Sequence, residues 1–549
     1  MKSFLFVFVW ISAVFMSHAQ VLSHKTHYTR QDSLRGSNTE FRNWWNVLRY
    51  DIEIEADFNK KFIQGKNTIE FEVISKSSHQ IMQIDLQQPM EISRIYLDKK
   101  EITNFEREGN VYFLQFDKQL KIKEKYHLLI EFSGNPKRAV NPPWDGGWIF
   151  TKDKFNRPWM TVACQGLGAS VWFPNKDYQG DKPDLGASVS IITDKNLIGV
   201  SNGRLISQTD LGEKVVHKWE VKNPINNYNI TPYIGHYQEI KDNYTGEKGN
   251  LNLSYWVLDY NIQKAEIQFV QSKKMLESFE YWFGAYPFYE DSYKLVEAPH
   301  LGMEHQSGIA YGNRFQNGYL GSDLSESGWG LKWDFILVHE SGHEWFGNSI
   351  TVQEVADLWI HEGFTAYSET LHTEYLFGKE AANDYVIGTR KRILNDIPLI
   401  GIYGVNQEGS SDIYYKGANM IHTFRQWLND DVLFREILRG LNSEFYHKTV
   451  TTKEIETYIQ EKSKLDLTAF FAQYLRTTQI PVLEYKLNEN SISYRWTNCV
   501  ENFALPIKIA DSDIWLSPSS EWKTKTLPVN LFENFKIDRN FYVSIKKVK

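Results

Sequence analysis

Between about Trp44 and Tyr237, polar and apolar residues alternate in short runs, as in Tyr50 to Ile54, Asn67 to Val73 and Val111 to Phe116. A period of two marks strands with one buried face. Turn formers such as Asn202-Gly203 separate the runs, and the pattern predicts an antiparallel β domain over residues 40–245. Near Lys264 the period changes. Ala265, Phe269, Leu276, Phe279 and Phe283 recur at spacings of three, four or seven, which predicts an amphipathic helix. Helical patterning then runs to about Leu475, giving a mostly helical domain over residues 246–478. Short strands return at Ser491 to Trp496 and Phe541 to Ile545, predicting a small carboxyl-terminal β-sandwich over residues 479–549. With no repeat, low-complexity tract or long linker, the expectation is an α+β multidomain protein whose domains pack together.

The 549 residues exceed what one core organises, and a hydrophobic share of 42% with 15% aromatics is ample for several. A net charge of -7, with both signs mixed along the chain, gives no reason to expect nucleic acid or an anionic membrane as partner. Cys164 and Cys499 lie far apart in sequence and are expected to be unbridged.

The first residues carry a single lysine, an apolar run from Phe4 to Met16, and then Ser17-His18-Ala19. That order predicts a secretory signal over residues 1–19, because the run falls short of the roughly 20 residues that span a bilayer. Export to the periplasm or the extracellular space is expected, with no membrane span in the mature chain.

Chemistry concentrates in His339-Glu340-Ser341-Gly342-His343, inside a stretch from Leu331 to Asn348 with helix-like apolar spacing. Histidines at i and i+4 share one helical face and can reach one ion, with Glu340 beside them. Catalytic zinc takes three protein ligands and keeps a position for water, so a third ligand is required. Trp359 to Phe377 predicts a second helix stopped by Gly378, and Thr351 to Asp357 would turn the chain back to bring its Glu362 towards His343. His361 is a rival by element preference, but neighbours on a helix point in different directions. Gly342 would let the two helices approach closely. Glu340 is the candidate general base, and a tyrosine hydroxyl is a suitable oxyanion donor, although thirty tyrosines leave that choice open.

HESGHEWFGN followed by DLWIHEGFTAYSE resembles the zinc signature of the aminopeptidase N family, gluzincins with a thermolysin-like catalytic domain, including its eighteen-residue spacer. The resemblance implies one Zn2+ per chain held by His339, His343 and Glu362, with Glu340 as base. Leu301-Gly302-Met303-Glu304-His305 is similar to the family's GAMEN motif, which implies that Glu304 binds the free α-amino group of a peptide. Backbone groups of Gly302 and Met303 would then hydrogen-bond an extended substrate. Leu301 and His305 depart from that motif. The segment from Cys164 to Pro174 is similar to one that supplies a second amine-recognition residue, here Gln165. Tyr414-Tyr415-Lys416-Gly417-Ala418 is similar to YEKGA, and this selects Tyr414 for the oxyanion. Many relatives carry a helical domain after the small β domain, and its lack here implies a short form with a more open cleft.

The function expected is removal of amino-terminal residues from peptides. A zinc endopeptidase with an open cleft and a non-catalytic peptide-binding relative are the alternatives, and the oligomeric state stays open.

Overall fold

The computed structural model describes residues 25 and 27–549 except 77–79, 165, 489, 529–530 and 533–534. The signal segment expected at 1–19 lies outside the described residues.

The amino-terminal part is built on an eight-stranded sheet. Its order is Arg204–Asp210, Lys214–Val221, Ala187–Asp194, Trp45–Asp57, Phe62–Val73, Lys125–Gly134, Glu91–Leu97 and Lys100–Glu101. The expectation of a purely antiparallel domain is corrected at one pairing, because Trp45–Asp57 and Ala187–Asp194 run parallel, with Ile52 opposite Val189. The reason is chain order: these strands are joined by the whole intervening sequence, so no hairpin constrains their direction. Along Trp45–Asp57 the alternate residues Tyr50, Ile52 and Ile54 are buried in a core that also holds Phe71, Trp148 and Trp172.

A five-stranded mixed sheet follows, in the order Tyr237–Gly246, Gly249–Leu258, Tyr293–Glu297, Ile309–Tyr311 and Gly302–Met303. Four of its strands lie within the mostly helical domain expected over residues 246–478. Tyr293–Glu297 is buried at every position and so shows no alternation, while Gly302–Met303 and Ile309–Tyr311 owe their strand character to their partners. The sheet divides the two cores: Leu251, Leu253, Tyr255 and Val257 face the helices, whereas Trp256 and Leu258 face the amino-terminal core. This is the two-residue period of a strand buried on both faces.

The helical part begins with Ile262–Gln268 and Gln271–Phe283, and Ala265, Phe269, Leu276, Phe279 and Phe283 are all buried in one core. That core continues without a break into the carboxyl-terminal strands through Leu483, Ile492 and Trp496. There a four-stranded sheet, ordered Lys523–Thr526, Ser491–Thr497, Val482–Asn488 and Ser544–Lys547, lies beside the pair Ile507–Lys508 and Trp515–Leu516. The last strand starts at Ser544 and not at Phe541, whose ring is buried beside Trp515. Among the described residues no helix is long and apolar enough to cross a membrane. Cys164 and Cys499 are both free.

Candidate active site

The helix carrying the paired histidines spans Phe335–Gly342, shorter than the stretch from Leu331 to Asn348 that the apolar spacing predicts. Asp334 starts it by accepting a hydrogen bond from the Leu337 amide at 3.2 Å. Downstream the chain turns at Gly347, whose φ is +136°. His343 is therefore the last residue of the turn, yet its φ of -64° and ψ of -19° stay helical, so the i, i+4 relation to His339 holds. The second helix spans Trp359–Phe377, and Gly378 ends it.

These helices pack closely because Gly342 has no side chain: a Cβ there would lie 2.7 Å from Ser368 Oγ and 3.1 Å from Thr365 Cγ2. The contact brings Glu362 Oε2 to 3.3 Å from His343 Nε2 and 3.6 Å from His339 Nε2. Tetrahedral zinc with ligands at about 2.0–2.1 Å separates ligand atoms by roughly 3.3–3.4 Å, which these distances match. The remaining ring nitrogens are taken: His339 Nδ1 bonds Glu369 Oε1 at 2.7 Å and His343 Nδ1 bonds the Phe346 carbonyl at 3.0 Å. Both Nε2 atoms are thus left with lone pairs for a metal. Glu362 Oε2 is itself buried without a hydrogen-bond partner, as a ligand atom should be. The donor set of two imidazoles and one carboxylate suits zinc.

The electrostatics favour positive charge at this point. Burial opposes a charge on His343, but the adjacent Glu362 overcomes that and lifts it to about 9. Burial alone would raise Glu362, whereas His343 and His339 hold it well below the carboxylate range. Glu340 is pushed up to about 7, chiefly by burial, with the two imidazoles pulling the other way.

Glu304 follows the edge strand Gly302–Met303 and lies in the same cleft, its Oε1 3.2 Å from the Tyr228 hydroxyl that donates to it. Gly302 faces the histidine helix so closely that a Cβ would sit 2.6 Å from Glu340 Oε1. Asn348 ties the Glu304 segment to the residues that follow the histidine helix, donating from Nδ2 to the Glu304 carbonyl at 2.8 Å and to Glu344 Oε1 at 3.1 Å. Tyr414 precedes the helix Tyr415–Leu428, lines the cleft, and stacks on the His339 ring with centroids 5.9 Å apart. Enclosure by the cleft, with Glu362 and Glu408 nearby, keeps its phenol well above the usual tyrosine range and hence protonated. The cavity lined by Tyr228, Met303, Glu304, Glu362 and Tyr414 measures about 70 Å³.

Glu362, Glu304, Met303 and Tyr414 line the cleft, His339, His343 and Glu340 converge on Glu362 and Glu304, and Gly302 packs behind. His361 does not join them: its Nε2 accepts the Val352 amide at 2.9 Å, which anchors the turn between the helices. Gln165 lies outside the described residues, although Cys164 and Gly166 on either side line the cleft. Glu369, Tyr228 and Asn348 escaped the sequence analysis. Glu369 alone had a local signal, since it follows Glu362 by seven residues and so shares its helical face.

Comparison with known proteins adds to this geometry. The sequence model of the Peptidase family M1 domain matches residues 268–474, and that of the Peptidase M1 N-terminal domain matches residues 46–228. Probable aminopeptidase 1 of Sulfurisphaera tokodaii is 22% identical over 532 residues, covering 92% of this chain and 62% of that protein. Leukotriene A-4 hydrolase of Xenopus laevis is 23% identical over 331 residues, covering 56% of this chain and 51% of that protein. An M1 zinc metallopeptidase of Deinococcus radiodurans superposes with a TM-score of 0.67 at 16% identity, over 80% of this chain and 95% of that one. A mutant from the same organism, solved with a Tyr-Ser-Ala substrate, gives a TM-score of 0.66. These likenesses establish the fold. The chain spans 62% and 48% of the lengths of the first two curated relatives.

Proposed function

The chain belongs to peptidase family M1, and from that premise we propose that it is a zinc-dependent aminopeptidase acting on peptides with a free amino terminus. The observation that carries the reading is the buried convergence of His339 Nε2, His343 Nε2 and Glu362 Oε2 within one cleft that also holds the Glu304 carboxylate.

Zinc bound by His339, His343 and Glu362 would polarise the scissile carbonyl and lower the pKa of a water to about 7. Glu340, one residue along the same helix, takes the proton of the attacking water and returns it to the leaving amine. Tyr414 keeps its proton and donates a hydrogen bond to the oxyanion of the tetrahedral state. Glu304 pairs with the substrate ammonium, and the edge strand Gly302–Met303 offers backbone groups to an extended peptide. A carboxylate fixed at one end of the cleft limits hydrolysis to the first peptide bond. Tyr228 holds that carboxylate in place. Gln165 joins this reading as a second amine contact, supported by the cleft-lining residues that flank it.

Export to the periplasm or the extracellular space belongs to the same proposal, supported by the apolar run from Phe4 to Met16 and the small residues Ser17 and Ala19. Amino-terminal sequencing of the exported protein tests it.

A panel of aminoacyl reporter substrates, free and amine-blocked, assayed with and without a chelator, tests the activity. Cleavage of free substrates alone, abolished by chelation and restored by zinc, is expected. Equal cleavage of acetylated peptides would replace the aminopeptidase by an endopeptidase, and no hydrolysis by the zinc-loaded protein would leave a binding protein.

A further inference from the structure

The short helix Arg30–Gly36 precedes residue 46, where the family match begins, so nothing in that match assigns it a role. It is nevertheless fixed against both sides of the cleft. Thr29 and Asp32 close its amino end reciprocally, Leu34 is buried against Val111 and Phe113, and Gln83 Nε2 donates to the Leu34 carbonyl at 2.9 Å. The fully buried Arg42 donates to the Arg35 carbonyl at 3.3 Å and the Ser37 carbonyl at 3.0 Å. At the other end Gly36 packs on the catalytic half so tightly that a Cβ would lie 2.1 Å from the Asn406 amide nitrogen. The helix therefore bridges the antiparallel strands Ile81–Asp85 and Val111–Gln115 and the loop at Val405 and Asn406.

This placement aims Arg35 into the cleft. It lines the same cavity as Glu304, Glu362 and Tyr414, and it is the one arginine or lysine among the described lining residues. The side chain keeps 24% of its surface exposed. It is oriented through Nη1, which donates to the Asp177 carbonyl and lies 3.3 Å from Asp177 Oδ1. That carboxylate is occupied elsewhere too, accepting from the Ser170 amide at 3.1 Å and the Ser170 hydroxyl at 2.5 Å. A guanidinium offers five donors in a planar fork, so one anchored nitrogen leaves others to meet a ligand.

We propose that Arg35 is a specificity-determining residue that binds a carboxylate on the substrate, beyond the amine held by Glu304. The inference rests on the aminopeptidase reading above. Each extended residue advances a peptide by about 3.3–3.6 Å, so the carboxylate lies only a few residues from the ammonium in the same cavity. Glu304, Glu362 and Glu408 line the same cavity, and Arg35 is the only guanidinium among its described lining residues that can pair with a substrate carboxylate. Its source is either the terminal α-carboxylate of a short peptide or an acidic side chain downstream of the cleaved bond.

The test compares kcat/KM for a tripeptide as free acid and as carboxyl-terminal amide, and for tripeptide amides with Glu or Gln at the third position. A charge-assisted hydrogen bond corresponds to a preference of about 10-fold or more for the carboxylate in at least one pair. The first pair reports the α-carboxylate and the second the side chain. Arg35→Gln should bring that ratio near one, whereas Arg30→Gln, on the outer face of the same helix, should keep it. Because a general loss of structure lowers both members of a pair alike, the ratio isolates carboxylate recognition. Wild-type ratios near one in both pairs, or a preserved ratio in Arg35→Gln, overturn the proposal, and the wild-type ratios decide even if the variant fails to fold. An aminoacyl arylamide, which has no carboxylate, is assayed alongside: failure to cleave it would overturn the aminopeptidase reading itself.

Discussion

His339 Nδ1 and Glu369 Oε1 lie 2.7 Å apart, both buried, and Glu369 Oε2 accepts in turn from the Tyr385 hydroxyl at 2.7 Å. The carboxylate fixes the proton of His339 on Nδ1 and turns Nε2 towards Glu362. It also makes the ring a stronger donor to a metal. Glu369→Gln keeps the shape and one acceptor but removes the charge. Zinc affinity should fall by roughly 10–100-fold, as read by competition with a chelator of known strength, and unchanged affinity would remove Glu369 from the metal's support.

Glu340 is not needed to hold the ion in this arrangement, because three other side chains supply the donor atoms. Glu340→Gln should keep one zinc per chain by elemental analysis. Its kcat/KM should fall by about 10²–10⁴-fold, the usual contribution of a general base. Turnover at the wild-type rate in the metal-loaded variant would reject the assignment.

How much of this centre the sequence discloses follows from distance along the chain. His339, Glu340 and His343 are related by one helical turn, and Glu362 sits on the next helix, so local periodicity places all four. The same reasoning identifies Gly378 as the helix end, where φ is +90°. It overextends the histidine helix, because apolar residues continue past Gly347, where the backbone turns for reasons that hydropathy does not record. Tyr228 and Asn348 meet Glu304 only through tertiary packing. Arg35 is the extreme case: it reaches the cleft because Asp177 and Asn406, 229 residues apart, receive one short helix.

The separation of the two metal-bearing helices rests on one missing side chain. Gly342→Ala places a methyl group 2.7 Å from Ser368 Oγ and 3.1 Å from Thr365 Cγ2, contacts that backbone or side chain must yield to relieve. Overpacking of this kind costs about 1–3 kcal/mol. The cost should appear both as a lower urea midpoint and as weaker zinc binding, since yielding moves Glu362 away from the imidazoles. A stability loss with unaltered zinc affinity would show that the helices do not move as units.

Acid should act on histidines away from the metal. His422 is buried, with Nδ1 3.0 Å from the Tyr367 hydroxyl and Nε2 3.1 Å from Asn540 Oδ1. Burial, more than the opposing bond to Asn540, holds it down at about 3. His372, bonded to Ser278 Oγ at 2.8 Å, is likewise held at about 3 by burial. An unfolded histidine titrates near 6.5, so below that pH the unfolded chain binds a proton that the folded chain refuses. Stability is therefore lost as pH falls from about 6.5 towards 3, by about 1.4 kcal/mol per unit for each ring. Buried Glu297 works in the opposite sense: burial raises it to about 7, so the folded chain takes up a proton first and gains stability on acidification. The net slope mixes the two, but a variant separates them. His422→Asn should make unfolding free energy less steep between pH 6.5 and 5 than in the wild type, by about 1.4 kcal/mol per unit. Urea titrations at four pH values measure this, and parallel slopes would mean that His422 carries its proton in the folded chain.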